Sequence, residues 1–156
     1  MRVKSGVETG MEKALPSYKK VLVPFDGSPG SSKALRRALA LALLQDAEIT
    51  ALTVDEHLPR YAKGVGEVEE EDQLRESYFA GLRQQALAAA GSQGVSLEVA
   101  TEVGHPAQTI LRYAEQQGID LIVIGHSGHS GVWGTLLGST TARVVDQAAC
   151  DVLVVR

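Results

Sequence analysis

The sequence predicts a doubly wound α/β domain built on a mainly parallel five-stranded sheet with helices on both faces. Three observations carry this. Five short runs rich in β-branched residues recur along the chain, amphipathic helical patterns separate them, and three of the runs are continuously apolar, as strands covered on both faces are. The order reads β-α-β-α-β-α-β-α-β, which favours right-handed crossovers.

Each element has its own signal. Residues 20–25 (KVLVPF) form the first strand. Ser31 or Ser32 then caps a helix whose apolar stripe is Leu35, Leu39, Ala42 and Leu43, with Lys33 and Arg37 opposite. Residues 48–54 (EITALTV) form the second strand. Residues 57–72 read as an irregular connection closing in an acid run, Glu67, Glu69, Glu70, Glu71 and Asp72, whose carboxylates suit the positive end of the next helix. That helix, residues 73–90, turns Phe79, Leu82, Ala86 and Ala89 inward and stops at Gly91. Residues 96–103 (SLEVATEV) alternate, which puts the third strand near an edge. Pro106 suits the first turn of the third helix, because its fixed φ is helical and its missing N–H is not needed there; Ala107, Ile110, Leu111 and Ala114 form its stripe. Residues 120–124 (DLIVI) are the fourth strand. A short helix over residues 139–148, capped by Ser139 with Ala142 and Val145 inward, leads to the fifth strand, residues 151–155 (DVLVV). Residues 1–18 show neither period and read as a poorly ordered extension of a domain spanning residues 19–156.

Composition narrows the function classes. At 156 residues and 44% apolar, the chain suffices for one substantial core. A net charge of -4 gives nucleic-acid backbones no electrostatic footing. Cys150 has no second cysteine to pair with, reads as a small buried residue, and suits a reducing compartment such as the cytoplasm. No apolar run approaches the roughly 20 residues of a membrane-spanning helix.

The chemistry concentrates after the fourth strand. Gly125, Gly128, Gly131, Gly134 and Gly138 punctuate fourteen residues that lead into Ser139 and Thr140 at the start of a helix. Glycine lets backbone approach a ligand closely, and a helix N-terminus offers unpaired amides and a positive dipole end, so this loop can cradle an anion. It lacks the spacing of a Walker phosphate loop and of the dinucleotide fingerprint. A flexible connection that binds nothing is the bland alternative. At the end of the first strand stands Asp26, where a carboxylate can accept hydrogen bonds from a ribose; Asp-Gly-Ser is also ordinary turn chemistry. His126 and His129 have no third ligand at fixed spacing, which argues against zinc. His105 reads as a residue preceding a helix, and Trp133 as a loop aromatic packing on its own domain or on a partner.

Three segments resemble the universal stress protein family: Val21-Leu-Val-Pro-Phe-Asp-Gly-Ser28, Gly104-His-Pro-Ala-Gln-Thr-Ile110 through residues 120–125, and Gly125-x2-Gly128-x9-Gly138-Ser139. The resemblance covers residues 19–156. It implies strand order 3-2-1-4-5, an adenine nucleotide at the junction of strands one and four, and homodimers paired through the last strand. Carried over by position, it implies that Asp26 holds the ribose and Val54 meets the adenine, that Gly125, Gly128, Gly138, Ser139 and Thr140 surround the phosphates, and that Pro24 shapes the strand end. One departure stands out: residues 126–137 contain no Lys or Arg. His129, of a type that titrates near about 6.5, then supplies a cation below neutrality and a neutral donor above it. Backbone donors and a divalent ion such as Mg2+ carry more of a triphosphate, and AMP or ADP binds comparably to ATP.

Three functions compete on these residues. The first is a cytoplasmic stress-response regulator binding ATP or a related adenine nucleotide. The second is a dimeric interaction module that does not use the pocket. The third, a slow ATP hydrolase, has no nucleophile with a base at defined spacing in its favour. No catalytic residue and no metal ligand is assigned.

Overall fold

Successive residues of a strand face opposite sides of a sheet. In β1 (Lys20–Pro24) this sends Val21 and Val23 into one apolar layer and Leu22 into another. The computed structural model describes residues 17–56, 65–128 and 136–156. After β1 come α1 (Pro29–Gln45), β2 (Glu48–Asp55), α2 (Val65–Gln93), β3 (Glu98–Val103), α3 (Pro106–Gln117), β4 (Leu121–Gly125), α4 (Ser139–Gln147) and β5 (Asp151–Val155). The sheet order is β3-β2-β1-β4-β5 and its pairings are parallel. Leu35, Ala38 and Leu39 of α1 and Leu82, Ala86 and Ala90 of α2 cover one face. Ile110 and Ala114 of α3 and Val144 of α4 cover the other. The chain winds one way from β1 to β3, then crosses and winds back, so the reversal falls between β1 and β4.

Proline makes that junction a crevice. Phe25 donates its amide toward β2, to the Leu52 carbonyl at 2.8 Å, so the amide position one residue earlier faces β4. Pro24 has no N–H to offer there. The β1–β4 ladder accordingly ends at Leu22↔Ile122, while the β1–β2 ladder runs on to Pro24↔Leu52.

Several elements differ from expectation for identifiable reasons. The acid run lies inside α2, which starts at Val65 rather than residue 73 and continues past Gly91 to Gln93, with Gly94 taking the left-handed turn at φ +68°. The cap of α1 is Ser28, not Ser31 or Ser32: its buried Oγ accepts from the Ser31 amide at 3.2 Å, and Pro29 opens the helix. Gly138 occupies the cap position of α4 and Ser139 is its first residue. Leu43, Ala142 and Val145 point outward, and the inward positions include Ala38 in α1 and Thr141 and Val144 in α4. β5 is an edge strand with Leu153 43% exposed, whereas an apolar run had suggested cover on both faces. β3 is the opposite edge, as its alternation predicts.

Residues 1–16 lie outside the described residues. Tyr18, assigned to the extension, is held in place: its amide donates to Gln45 Oε1 at 2.7 Å and its hydroxyl to Asp151 Oδ2 at 2.8 Å, and this second bond raises the phenol above its usual range. Cys150 is partly rather than fully buried; desolvation, reinforced by Asp151 and Asp120, pushes its thiol up. Among the described residues no helix is long and apolar enough to cross a membrane.

Candidate functional site

Beyond the carboxyl ends of β1 and β4 lies a cavity of about 620 Å³. Of the nine residues singled out from sequence, eight line it: Pro24, Asp26, Val54, Gly125, Gly128, Gly138, Ser139 and Thr140. His129 falls outside the described residues, as does Trp133.

Asp26 follows β1 directly and is oriented by a tight turn. Its Oδ1 accepts the Ser28 amide at 3.0 Å and its own amide donates to Ser31 Oγ at 3.4 Å. Gly27 takes φ +76°, which the turn requires. Turn chemistry and site chemistry are thus compatible: one carboxylate oxygen holds the turn while Oδ2 lies toward the loop after β4. A Cβ at Gly128 would stand 3.0 Å from that Oδ2. The two separated stretches of chain therefore meet in one place.

Glycine also permits the approach of α1 to this loop. A Cβ at Gly30 would fall 2.2 Å from the Ser127 carbonyl oxygen, and one at Gly125 would fall 2.7 Å from the Gly30 carbonyl carbon. Backbone rests on backbone here. Gly30 was not among the residues singled out, although Gly-Ser-Pro-Gly before a helix was its signal.

Three helix N-termini reach the cavity: that of α3, at Pro106, has no side-chain cap, and those of α1 and α4 differ. That of α1 is closed by Ser28. That of α4 is open: Gly138 supplies no side-chain cap, and the amides of Ser139, Thr140 and Thr141 have no partner among the described residues. Gly138 donates its amide to the His126 carbonyl at 2.9 Å, and Thr141 Oγ1 donates to the Gly125 carbonyl at 2.8 Å, so the turn is anchored while its amides stay available. Such a terminus attracts an anion. His126, read as a polar loop tip, is tied into the backbone through its amide, which donates to the Val155 carbonyl at 2.8 Å.

The opposite wall is less legible in sequence. Arg75, Tyr78 and Phe79 of α2 line the cavity together with Asp55 and Glu56 at the end of β2. Arg75 Nε lies 3.1 Å from Asp55 Oδ2 and its Nη2 lies 2.9 Å from Asp72 Oδ1, which fastens α2 to β2. The Tyr78 and Phe79 rings meet edge to face at 5.3 Å. Their spacing with Leu82 was the available signal; the Arg75–Asp55 pair had none. Among the described residues no three His, Cys, Asp or Glu side chains converge as metal ligands.

Sheet order, cavity position and glycine loop together define a doubly wound α/β fold with a crevice at the point where its winding reverses. The sequence model of the universal stress protein family matches residues 17–156, and the chain belongs to that family. It is 37% identical over 151 residues to universal stress protein YxiE of Bacillus subtilis, covering 89% of this chain and 99% of that one. The structure of universal stress protein UspA from Lactobacillus plantarum is similar with a TM-score of 0.77 at 33% identity, over 90% of this chain and 99% of that one. A universal stress protein solved in complex with cAMP is similar with a TM-score of 0.69 at 27% identity, over 90% and 98%.

Proposed function

We propose that this protein is a regulatory protein of the stress response that binds ATP or a related adenine nucleotide in the β1/β4 crevice. One observation carries the reading: the Asp26 carboxylate and the open N-terminus of α4 line the same cavity, at the point where the winding of the sheet reverses. Asp26 accepts hydrogen bonds from the ribose and Val54 meets the adenine. Gly125, Gly128 and Gly138 leave room for phosphate, Ser139 and Thr140 donate amides and hydroxyls to it, Pro24 keeps the crevice parted, and His129 adds a donor. The related protein solved with cAMP supports an adenine ligand. The protein acts by binding rather than by turnover, in the cytoplasm, as a homodimer paired through β5, whose free edge and exposed Leu153 suit such pairing. Mg2+ accompanies a triphosphate.

Titration calorimetry with AMP, ADP and ATP plus Mg2+ tests this. Wild type is expected to bind at least one of them, and Asp26→Ala and Gly128→Val to lose that binding while remaining folded by circular dichroism. Absence of heat and of any thermal shift with all three ligands would refute the reading. The loop without Lys or Arg favours a second function, a dimeric interaction module with an idle pocket. That alternative predicts an unchanged dimer and no response to nucleotide.

A further inference from the structure

We infer that Tyr78 of α2 is a ligand-contact residue: its ring closes over the sugar and base of a bound nucleotide, so that the nucleoside is gripped between α2 and the ends of β1 and β2. This rests on the nucleotide reading above and adds to that site a wall that neither the strand ends nor the glycine loop supplies.

Placement carries the inference. Arg75, Tyr78 and Phe79 are spaced i, i+3 and i+4 and so share one face of α2. That face crosses the two strand ends in turn. Arg75 Nε reaches Asp55 Oδ2 at the end of β2, at 3.1 Å, and one helical turn later the Tyr78 hydroxyl donates to the Asp26 carbonyl just beyond β1, at 3.5 Å. Asp26 is the residue proposed for the ribose, and Val54, beside Asp55, the one proposed for the base. All of them line one cavity with Tyr78, which therefore overlooks both positions.

Burial separates Tyr78 from its neighbour. Phe79 packs against the apolar core, whereas Tyr78 is 52% exposed and belongs to neither apolar layer. The fold gains little from this ring, which keeps surface to offer to a ligand. Phe79 braces it, the two rings meeting at 5.3 Å and 80°. The hydroxyl bond is long for its type and aims the ring more than it stabilises the chain. Of the aromatic side chains among the described residues, Phe25, Tyr78 and Phe79 line the cavity, and Tyr18 and Tyr113 do not.

The remaining walls suit a flat ring. Leu52, Ile110 and Ile124 reach the cavity from the apolar layer under α3, and Phe25 and Phe79 from the layer under α2. A heterocycle lying between them buries both of its faces, and an aromatic side chain stacked on a base adds to that burial. The ligand class that fits is a nucleoside or nucleotide, whatever the number of its phosphates; a sugar phosphate without a base leaves this wall unused.

The test uses the full-length protein and whichever of AMP, ADP and ATP plus Mg2+ the wild type binds most tightly by calorimetry. Tyr78→Ala is expected to weaken that binding about tenfold, and Tyr78→Phe, which keeps the ring and loses the hydroxyl, to stay within about twofold of wild type. Circular dichroism checks that both variants fold. A second reading does not depend on the alanine variant: NMR of ring-labelled tyrosine in the saturated wild-type complex is expected to show Overhauser contacts between Tyr78, identified by its loss in Tyr78→Phe, and the protons of the base or the ribose. Binding by Tyr78→Ala within twofold of wild type, an equal loss in Tyr78→Phe, or absence of those contacts overturns the role of the ring and leaves the nucleotide reading standing. Failure of the wild type to bind any of the three nucleotides overturns both.

Discussion

Gly30 offers a test in which two physical effects predict opposite signs. It sits in the first turn of α1, and alanine is the better helix former by about 0.8–1 kcal/mol, so propensity alone predicts that Gly30→Ala stabilises the fold. Sterics predict the reverse. The new methyl carbon would lie 2.2 Å from the Ser127 carbonyl oxygen, 0.8 Å inside the 3.0 Å that real contacts keep. The obstacle is backbone, not the tip of a flexible side chain, so relief requires α1 and the loop after β4 to separate. Overpacking of this kind costs about 2–3 kcal/mol net, and a domain of this size loses about 3–4 °C of Tm per kcal/mol, giving a fall of about 8 °C. Gly91 serves as the matched control: it also lies in a helix, but a methyl group there meets nothing within 4 Å. Gly91→Ala should therefore raise stability by about 0.5–1 kcal/mol. Thermal and urea unfolding followed by circular dichroism read both. A Gly30→Ala protein as stable as wild type would refute the close packing of α1 against the loop, and with it the account of how the site is assembled.

Three further outcomes are expected. Asp26→Asn keeps an oxygen for the Ser28 amide, so the protein should remain folded by circular dichroism, while calorimetry should show adenosine binding weakened about tenfold by loss of the charged acceptor. Arg75→Ala should cost about 1.5–3 kcal/mol in urea unfolding, because it removes charged hydrogen bonds to Asp55 and Asp72 and the Asp55 pair is only 30% and 15% exposed; a double-mutant cycle with Asp55→Asn isolates the pair. Cys150 should react slowly with a disulfide reagent in the folded protein at mildly alkaline pH: its raised pKa shrinks the thiolate fraction there, and denaturation should restore the ordinary rate. Equal rates before and after denaturation would contradict the burial that shifts the thiol.

The fold was legible where side chains report their own surroundings. β1 and β4 lie in the middle of the sheet and read as unbroken apolar runs, and β3 announces its edge by alternation. β5 misled because an apolar run records what a strand can bury, not what this chain buries on it. The start of α2 was missed for a related reason: its first turns carry glutamates, good helix formers, but no apolar period marks them. At α1 the stronger start signal is Pro29, which sets the cap at Ser28, a few residues before Ser31 and Ser32. Asp26 and the glycines of the site were legible because their chemistry is local. The contribution of Arg75 depends on Asp55, twenty positions away, and on Asp72, in a stretch read as irregular; no local pattern joins them.

At 29 residues α2 is about 43 Å long, while the eight-residue β2 rises only about 26 Å. The helix outruns the strand before it by about 17 Å. The fully buried anchors of α2 (Leu82, Ala86 and Ala90) all belong to its second half, whereas Arg75 and Tyr78, facing the cavity, precede them. One side of the crevice is thus rooted in the core at one end and held near the mouth by Arg75 and by the Tyr78 hydroxyl, which donates to the Asp26 carbonyl at 3.5 Å. Hydrogen exchange should run fastest in the amides before Arg75 and slow progressively toward Ala90. The aperture is thereby set by a helix anchored mainly at its far end, against a floor built on the sheet.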